Sequence, residues 1–215
     1  MLNMPMVYQQ NINPYTRLGV WHISEPESFF INEVPVQRNI THPHKRLQHL
    51  AGRFLLKELF PNFPYELIRI ADTRKPFLEN EAYHFSISHC GDYAAVIVSS
   101  ENRVGVDVEL ISSKVEKVKH KFLSAAEQGM LQVLQQGNPF DHYIKLLTLA
   151  WSIKESLFKW YGDGEMDFIE HMQIQNITVD DNAGVAHCKI VKGQETSLAV
   201  HFLFFNHNCI SWVLS

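Results

Sequence analysis

The sequence predicts an α+β protein, a pseudo-dimer of two similar α+β subdomains, each a long helix packed on an antiparallel sheet. Two observations carry this. Strand-like segments come in runs and do not alternate with helices, which argues against a doubly wound sheet. Each half also has one long helical pattern ahead of such a run, Leu50–Leu59 and Leu149–Trp160, and the strings LAGRFLLKEL and LAWSIKESLFKW share a rhythm. The boundary is read at 103/104, giving an N-terminal subdomain 1–103 and a C-terminal subdomain 104–215.

The first helix is read from His42 to Phe60: Leu47, Leu50, Phe54 and Leu55 recur at helical spacing, and Pro61 and Pro64 close it. Strands are expected at Glu66–Ile70, Tyr83–Ser88 and Tyr93–Ser99, with a loop at Asp72–Asn80. Val104–Leu110 alternates strictly, with Val104, Val106, Val108 and Leu110 on one face and Gly105, Asp107 and Glu109 on the other. Ser124 followed by Glu127 is a capping-box pattern that opens a helix, and Gly137–Pro139 ends it. A second long helix runs from about Phe140 to Tyr161 and is stopped by Gly162 and Gly164. The remainder reads as strands at Gln173–Val179, Val185–Val191, Leu198–Phe205 and Cys209–Leu214. Met1, Met4 and Met6 are expected in an ordinary terminus.

Composition narrows the function classes. The 215 residues are 46% hydrophobic and 20% charged, ordinary for a soluble globular protein, and the net charge of −4 leaves no basic footprint for nucleic acid. A site for a phosphorylated ligand must then be a local cluster of basic residues. Cys90, Cys188 and Cys209 have neither the even count of a disulfide framework nor the paired spacing of a zinc site. Reduced thiols in a cytoplasmic protein are the expectation. Residues Met1–Asn13 lack the features of a secretory signal, and no stretch approaches the ~18 apolar residues of a membrane span. His42, His44 and His49 match no zinc spacing.

Asp107 and Glu109, two apart in a strand, send both carboxylates from one face and can converge on one cation. Two hard oxygen ligands without His or Cys suit Mg²⁺. A solvated strand face carrying two acids by chance is the bland alternative. On the second long helix, Lys154, Glu155 and Lys159 lie within roughly 140° of each other, so two ammonium groups flank one carboxylate. Glu155–Lys159 alone would be an ordinary surface pair. Combined with the strand acids, this set makes the ingredients of a metal–pyrophosphate site. A third element, Ser86-Ile87-Ser88-His89, ends a strand with Ser88 and His89 able to donate to phosphate oxygens. Trp151 is read as a core anchor of its helix.

These three strings, Ser86–His89, Gly105-Val106-Asp107-Val108-Glu109 and Trp151-Ser152-Ile153-Lys154-Glu155-Ser156-Leu157-Phe158-Lys159, resemble the signature motifs of the 4′-phosphopantetheinyl transferase superfamily. Their order and separations, about 20 and about 40 residues, fit, and Phe122-Leu123-Ser124-x-x-Glu127 adds to the likeness. The position of the Gly-x-Asp motif at mid-chain resembles the long, two-lobed surfactin-synthetase-activator type, a monomer with its active site between the lobes. The resemblance implies Mg²⁺ held by Asp107, Glu109 and Glu155. It implies coenzyme A as substrate, contacted by Arg53, Lys75, Ser88, His89, Lys154 and Lys159, with Lys45 and Arg46 as looser candidates. Arg74 stands where the family usually has Gly.

The implied reaction transfers the phosphopantetheine arm of coenzyme A to a serine of an apo acyl or peptidyl carrier protein. Glu155 is the first choice of general base and Glu127 the second, with Lys154 assisting; Glu127 also has a reading as a helix cap. Two rival readings stand beside this one: another Mg²⁺-dependent phosphotransfer enzyme, and a non-catalytic module that binds coenzyme A or a carrier protein.

Overall fold

The computed structural model describes residues 5–34, 40–73, 75–137 and 140–215, the side chain of Phe140 excepted. The chain divides into two compact units, Met1–Val108 and Glu109–Ser215.

The first unit opens with a hairpin that the sequence pattern did not announce, strands β1 (Met6–Asn13) and β2 (Thr16–His22). Met6 is therefore part of a strand, paired with Trp21, and not of an ordinary terminus; Met1 and Met4 lie outside the described residues. A short helix α1 (Glu27–Ile31) and the long α2 (Pro43–Leu59) follow. His42 caps α2 by accepting a hydrogen bond from the Lys45 N–H, and Pro43 stands in the first turn, where its missing N–H costs nothing. The segment expected as the strand Glu66–Ile70 begins as a 3₁₀ turn, Tyr65–Leu67, and only Ile68–Ile70 (β3) is extended. It pairs with β4 (Pro76–Leu78), which lies inside the stretch expected to be a loop. Strands β5 (His84–Cys90), β6 (Tyr93–Ser99) and β7 (Val104–Leu110) complete the run.

The sheet order is β1-β2-β6-β5, with antiparallel pairing throughout. Helix α2 packs on β6, β2 and β5. Two glycines permit the close approach. A Cβ at Gly19 of β2 would stand 3.1 Å from Leu55 Cδ1, and one at Gly52 of α2 would stand 2.8 Å from Ile87 Cγ2. The core between helix and sheet holds Leu50, Leu55, Leu56, Leu59, Val96 and Val98, each fully or almost fully buried.

The second unit contains α3 (Lys114–Val118), α4 (Ala125–Gln135), α5 (Phe140–Tyr161) and strands β8 (Met172–Asp180), β9 (Ala183–Ile190), β10 (Thr196–Phe205) and β11 (Asn208–Leu214). Its sheet has the order β7-β11-β10-β9-β8, and the division between the units falls within β7, after Val108. The capping box at Ser124 is present in both directions. Helix α4 ends at Gln135 and Gly137, two residues on, takes φ +82°, while Asn138 and Pro139 of the expected break lie outside the described residues. Gly162 and Gly164, φ +82° and +72°, take the left-handed backbone that stops α5. Helix α5 packs on β11, β10 and β8, burying Leu147, Ile153 and Leu157 against Val200, Phe202 and Val213. Each unit is thus a long helix on an antiparallel sheet, an α+β arrangement. Among the described residues no helix is long and apolar enough to cross a membrane.

Candidate functional site

The solvated-face alternative for β7 does not hold, because Val104 through Val108 are all buried and only Leu110 is fully exposed. Asp107 is 2% exposed, and its Oδ1 accepts a hydrogen bond from Ser88 Oγ at 2.8 Å. Two residues earlier on β5, Ser86 Oγ accepts the Val106 N–H at 3.1 Å. The serines of β5 therefore face β7 and are buried, although the alternation had placed them opposite a buried Phe85–Ile87 face; Ile87 is in fact half-buried. The Ser88 hydroxyl is engaged with Asp107, and His89 stands exposed at the strand end.

Arg53 of α2 is 5% exposed. Its Nη1 has no hydrogen-bond partner among the described residues, and burial pushes its pKa down to about 10, so the guanidinium stays charged at neutral pH. A buried cation in that state is costly unless an anion joins it. Arg46, by contrast, is committed to a two-pronged ion pair with Glu27 at 2.8 and 2.9 Å. Lys45 is exposed, Lys75 is half-buried in the turn where its carbonyl accepts the Ala71 N–H, and Arg74 lies outside the described residues.

In the second unit the structure brings together two residues that the motifs carry separately, Lys154 and Glu127. Lys154 is fully buried, with its ammonium 2.7 Å from Glu127 Oε1 and donating to Glu127 Oε2 at 2.9 Å and to the Phe168 carbonyl at 2.7 Å. Glu127 is also buried, and its carboxylate accepts from the N–H of Ser124 at 2.8 Å and of Ile174 at 2.9 Å. Burial pushes the Lys154 ammonium below the usual lysine range, while Glu127 works in the opposite direction. One carboxylate thus caps α4, holds the first amide-paired stretch of β8 and neutralises a lysine of α5.

Glu155 and Lys159, one residue and five residues beyond Lys154, are half-buried. Glu109 is half-buried, and its Oε1 accepts the Trp151 indole N–H at 3.0 Å. Trp151 is half-buried and packs against the core of the second unit, in line with the anchoring role read from the sequence. The Glu109 contact is the feature that motif reading missed, because spacing does not report which acceptor an indole finds. Among the described residues no group of three or more His, Cys, Asp and Glu side chains stands ready to hold a metal ion. What β7 offers is two carboxylates two residues apart in sequence, Asp107 and Glu109. Such a pair suits Mg²⁺, which completes its shell with water and phosphate. Cys188 and Cys209 are buried and Cys90 is half-buried, and burial pushes the Cys188 thiol up to about 12.

Helix-on-sheet units, a strand carrying one buried and one half-buried acid, and a lysine–glutamate helix face define a class, and comparison with known proteins names it. Residues 103–207 match the 4′-phosphopantetheinyl transferase superfamily, a span that contains both the β7 and the α5 motifs. That span belongs to the superfamily. It is 32% identical over 120 residues to enterobactin synthase component D of Salmonella austin, covering 55% of this chain and 49% of that protein. It is 25% identical over 158 residues to 4′-phosphopantetheinyl transferase AcpT of Escherichia coli O157:H7, covering 73% of this chain and 75% of AcpT. It is 30% identical over 135 residues to 4′-phosphopantetheinyl transferase gsp of Aneurinibacillus migulanus, covering 62% of this chain and 52% of that one. The chain therefore spans about half the length of two of these relatives and three quarters of the third.

Proposed function

We propose that this chain transfers the 4′-phosphopantetheine arm of coenzyme A to a serine of an apo acyl or peptidyl carrier protein, releasing 3′,5′-adenosine bisphosphate. The observation that carries the reading is Asp107, a carboxylate 2% exposed inside the matched span, two residues from Glu109 on the same strand. Burying a carboxylate is costly without a partner, and a divalent cation is one such partner.

Asp107, Glu109 and Glu155 would hold Mg²⁺, which when bound neutralises the pyrophosphate charge. Lys159, Lys75, Ser88 and His89 are read as contacts for the phosphates and nucleotide, and Arg53 as a buried countercharge for one of them. In the transfer, the carrier serine oxygen forms a bond to the β-phosphorus of coenzyme A as the bond from that phosphorus to the bridging oxygen breaks. The serine proton goes to a carboxylate, Glu155 before Glu127, because both Glu127 oxygens already accept hydrogen bonds inside the fold. Lys154 acts on the site from within its pair with Glu127. The protein's work is positioning and charge neutralisation. The names of the relatives, two transferases and a component of enterobactin synthase, support this reading, as does the two-unit organisation for the long subtype, a monomer of the cytoplasm.

The test is to incubate the protein with coenzyme A, Mg²⁺ and apo-carriers of the fatty-acid, polyketide and nonribosomal-peptide types, then weigh each carrier by mass spectrometry. The expected result is a metal-dependent gain of one phosphopantetheine unit on at least one carrier. Carriers that all stay unmodified while coenzyme A binds would reduce the chain to a binding module.

A further inference from the structure

Trp151 opens the α5 motif, and its indole finds a carboxylate. A buried or half-buried indole needs one acceptor for its N–H, and any backbone carbonyl would satisfy it. Here the acceptor is Glu109 Oε1, at 3.0 Å. The ring itself is held from two sides. Phe122, 1% exposed, meets it edge-on with centroids 5.1 Å apart, and Phe168 stacks on it at 5.5 Å with an interplanar angle of 11°. Phe168 is backed in turn by Phe158, stacked at 5.8 Å. The N–H vector is therefore fixed by packing. One helical turn beyond Trp151 on the same face of α5 stands Glu155. The indole thus links the Glu109 carboxylate of β7 to the face of α5 that carries Glu155.

We infer that Trp151 is a positioning residue: its N–H fixes the Glu109 carboxylate for a divalent cation, and the Phe122–Phe168 clamp fixes the N–H. This rests on the reading of Glu109 as a metal ligand. Glu109 lies one residue before the exposed end of its strand, where a free glutamate side chain samples many rotamers. Anchoring one oxygen removes that freedom before the cation arrives. Outer hydrogen bonds of this kind are commonly worth about 10- to 100-fold in metal affinity.

The experiment measures Mn²⁺ binding, by the loss of the free-ion EPR signal, with coenzyme A present and no carrier. Four proteins are compared: wild type, Trp151→Phe, the same position carrying benzothienylalanine, and Glu109→Ala. Benzothienylalanine keeps the bicyclic ring and lacks the N–H, so it decides the matter if Trp151→Phe does not fold. The expected result is Mn²⁺ affinity about 10-fold weaker in both donor-less proteins. In the transfer assay, the Mg²⁺ requirement should rise while kcat at saturating Mg²⁺ recovers. Wild-type affinity in the folded donor-less proteins would overturn the inference and leave the metal reading intact. Equal affinity of wild type and Glu109→Ala would overturn the metal reading of Glu109 and the inference with it.

Discussion

Asp107 is held by the Ser88 hydroxyl at 2.8 Å in an environment that excludes water, so its replacement should act on chemistry more than on the surface of the protein. Asp107→Ala and Glu155→Gln are each expected to lower the transfer rate by about 100-fold or more, with melting temperatures that show a folded protein. A rate within a few-fold of wild type in either would remove that residue from the site. Another residue-scale expectation concerns pH. His201 on β10 is half-buried and stacked on Trp212 at 5.8 Å, and burial lowers its pKa below the ordinary histidine value of 6.5. The unfolded chain then binds the proton more readily, so stability present above pH 6.5 is lost as pH falls through the lowered value. His201→Phe, which keeps the stack, should flatten the fall in melting temperature between neutral and mildly acidic pH. At this scale the acids and lysines were legible as types, since carboxylates two apart and charged groups four apart leave a pattern. What Lys154 and Glu127 do to each other was not, because 27 residues separate them and only the fold closes that gap.

Among the elements, α4, α5 and β8 converge on the single Glu127 carboxylate. Removing one partner of a buried ion pair leaves the other charge stranded. Glu127→Ala is therefore expected to destabilise the protein by about 3–5 kcal/mol, read from the midpoint of urea unfolding at unchanged slope. Glu127→Gln combined with Lys154→Met should restore much of that loss; if the single change is silent, the pair is not holding the elements together. The long elements themselves were readable. The 3.6-residue rhythm gave α2 within a residue of its ends and α5 at Phe140–Tyr161, strict alternation gave β7, and the apolar run Tyr93–Ser99 gave β6. The β1–β2 hairpin was not, because β1 carries Gln9, Gln10, Asn11 and Asn13, and its half-buried positions are filled partly by polar residues. Strand β4 was hidden by Pro76, which sits at its first residue and at the end of its register with Ile70.

For the molecule as a whole, the boundary matters, because β7 is a single strand that the division cuts. Strand β11 is buried along nearly its full length, and β7 is its neighbour in the sheet. A fragment starting at residue 104 keeps that neighbour, whereas one starting at Glu109 leaves an apolar edge uncovered. The longer fragment is expected to elute from size exclusion as a discrete species with a cooperative melt, and the shorter one to aggregate. Equal behaviour of the two would mean that β7 contributes little to the second unit. The two-helix, two-sheet plan was readable from the order of the pattern, but the point of division was read five residues earlier, at the start of β7 and not within it.

The cut after Val108 has one more result. It falls between Asp107 and Glu109, so each unit owns one of the strand acids. The separation of their Cα atoms is nevertheless set by two residues of extended backbone, about 6.6 Å at ~3.3 Å per residue. Covalent bonds act as a ruler here, and no repacking inside either unit can lengthen it. A chimera that joins the first unit of this chain to the second unit of a relative within β7 would carry the acid pair across the seam at its original spacing.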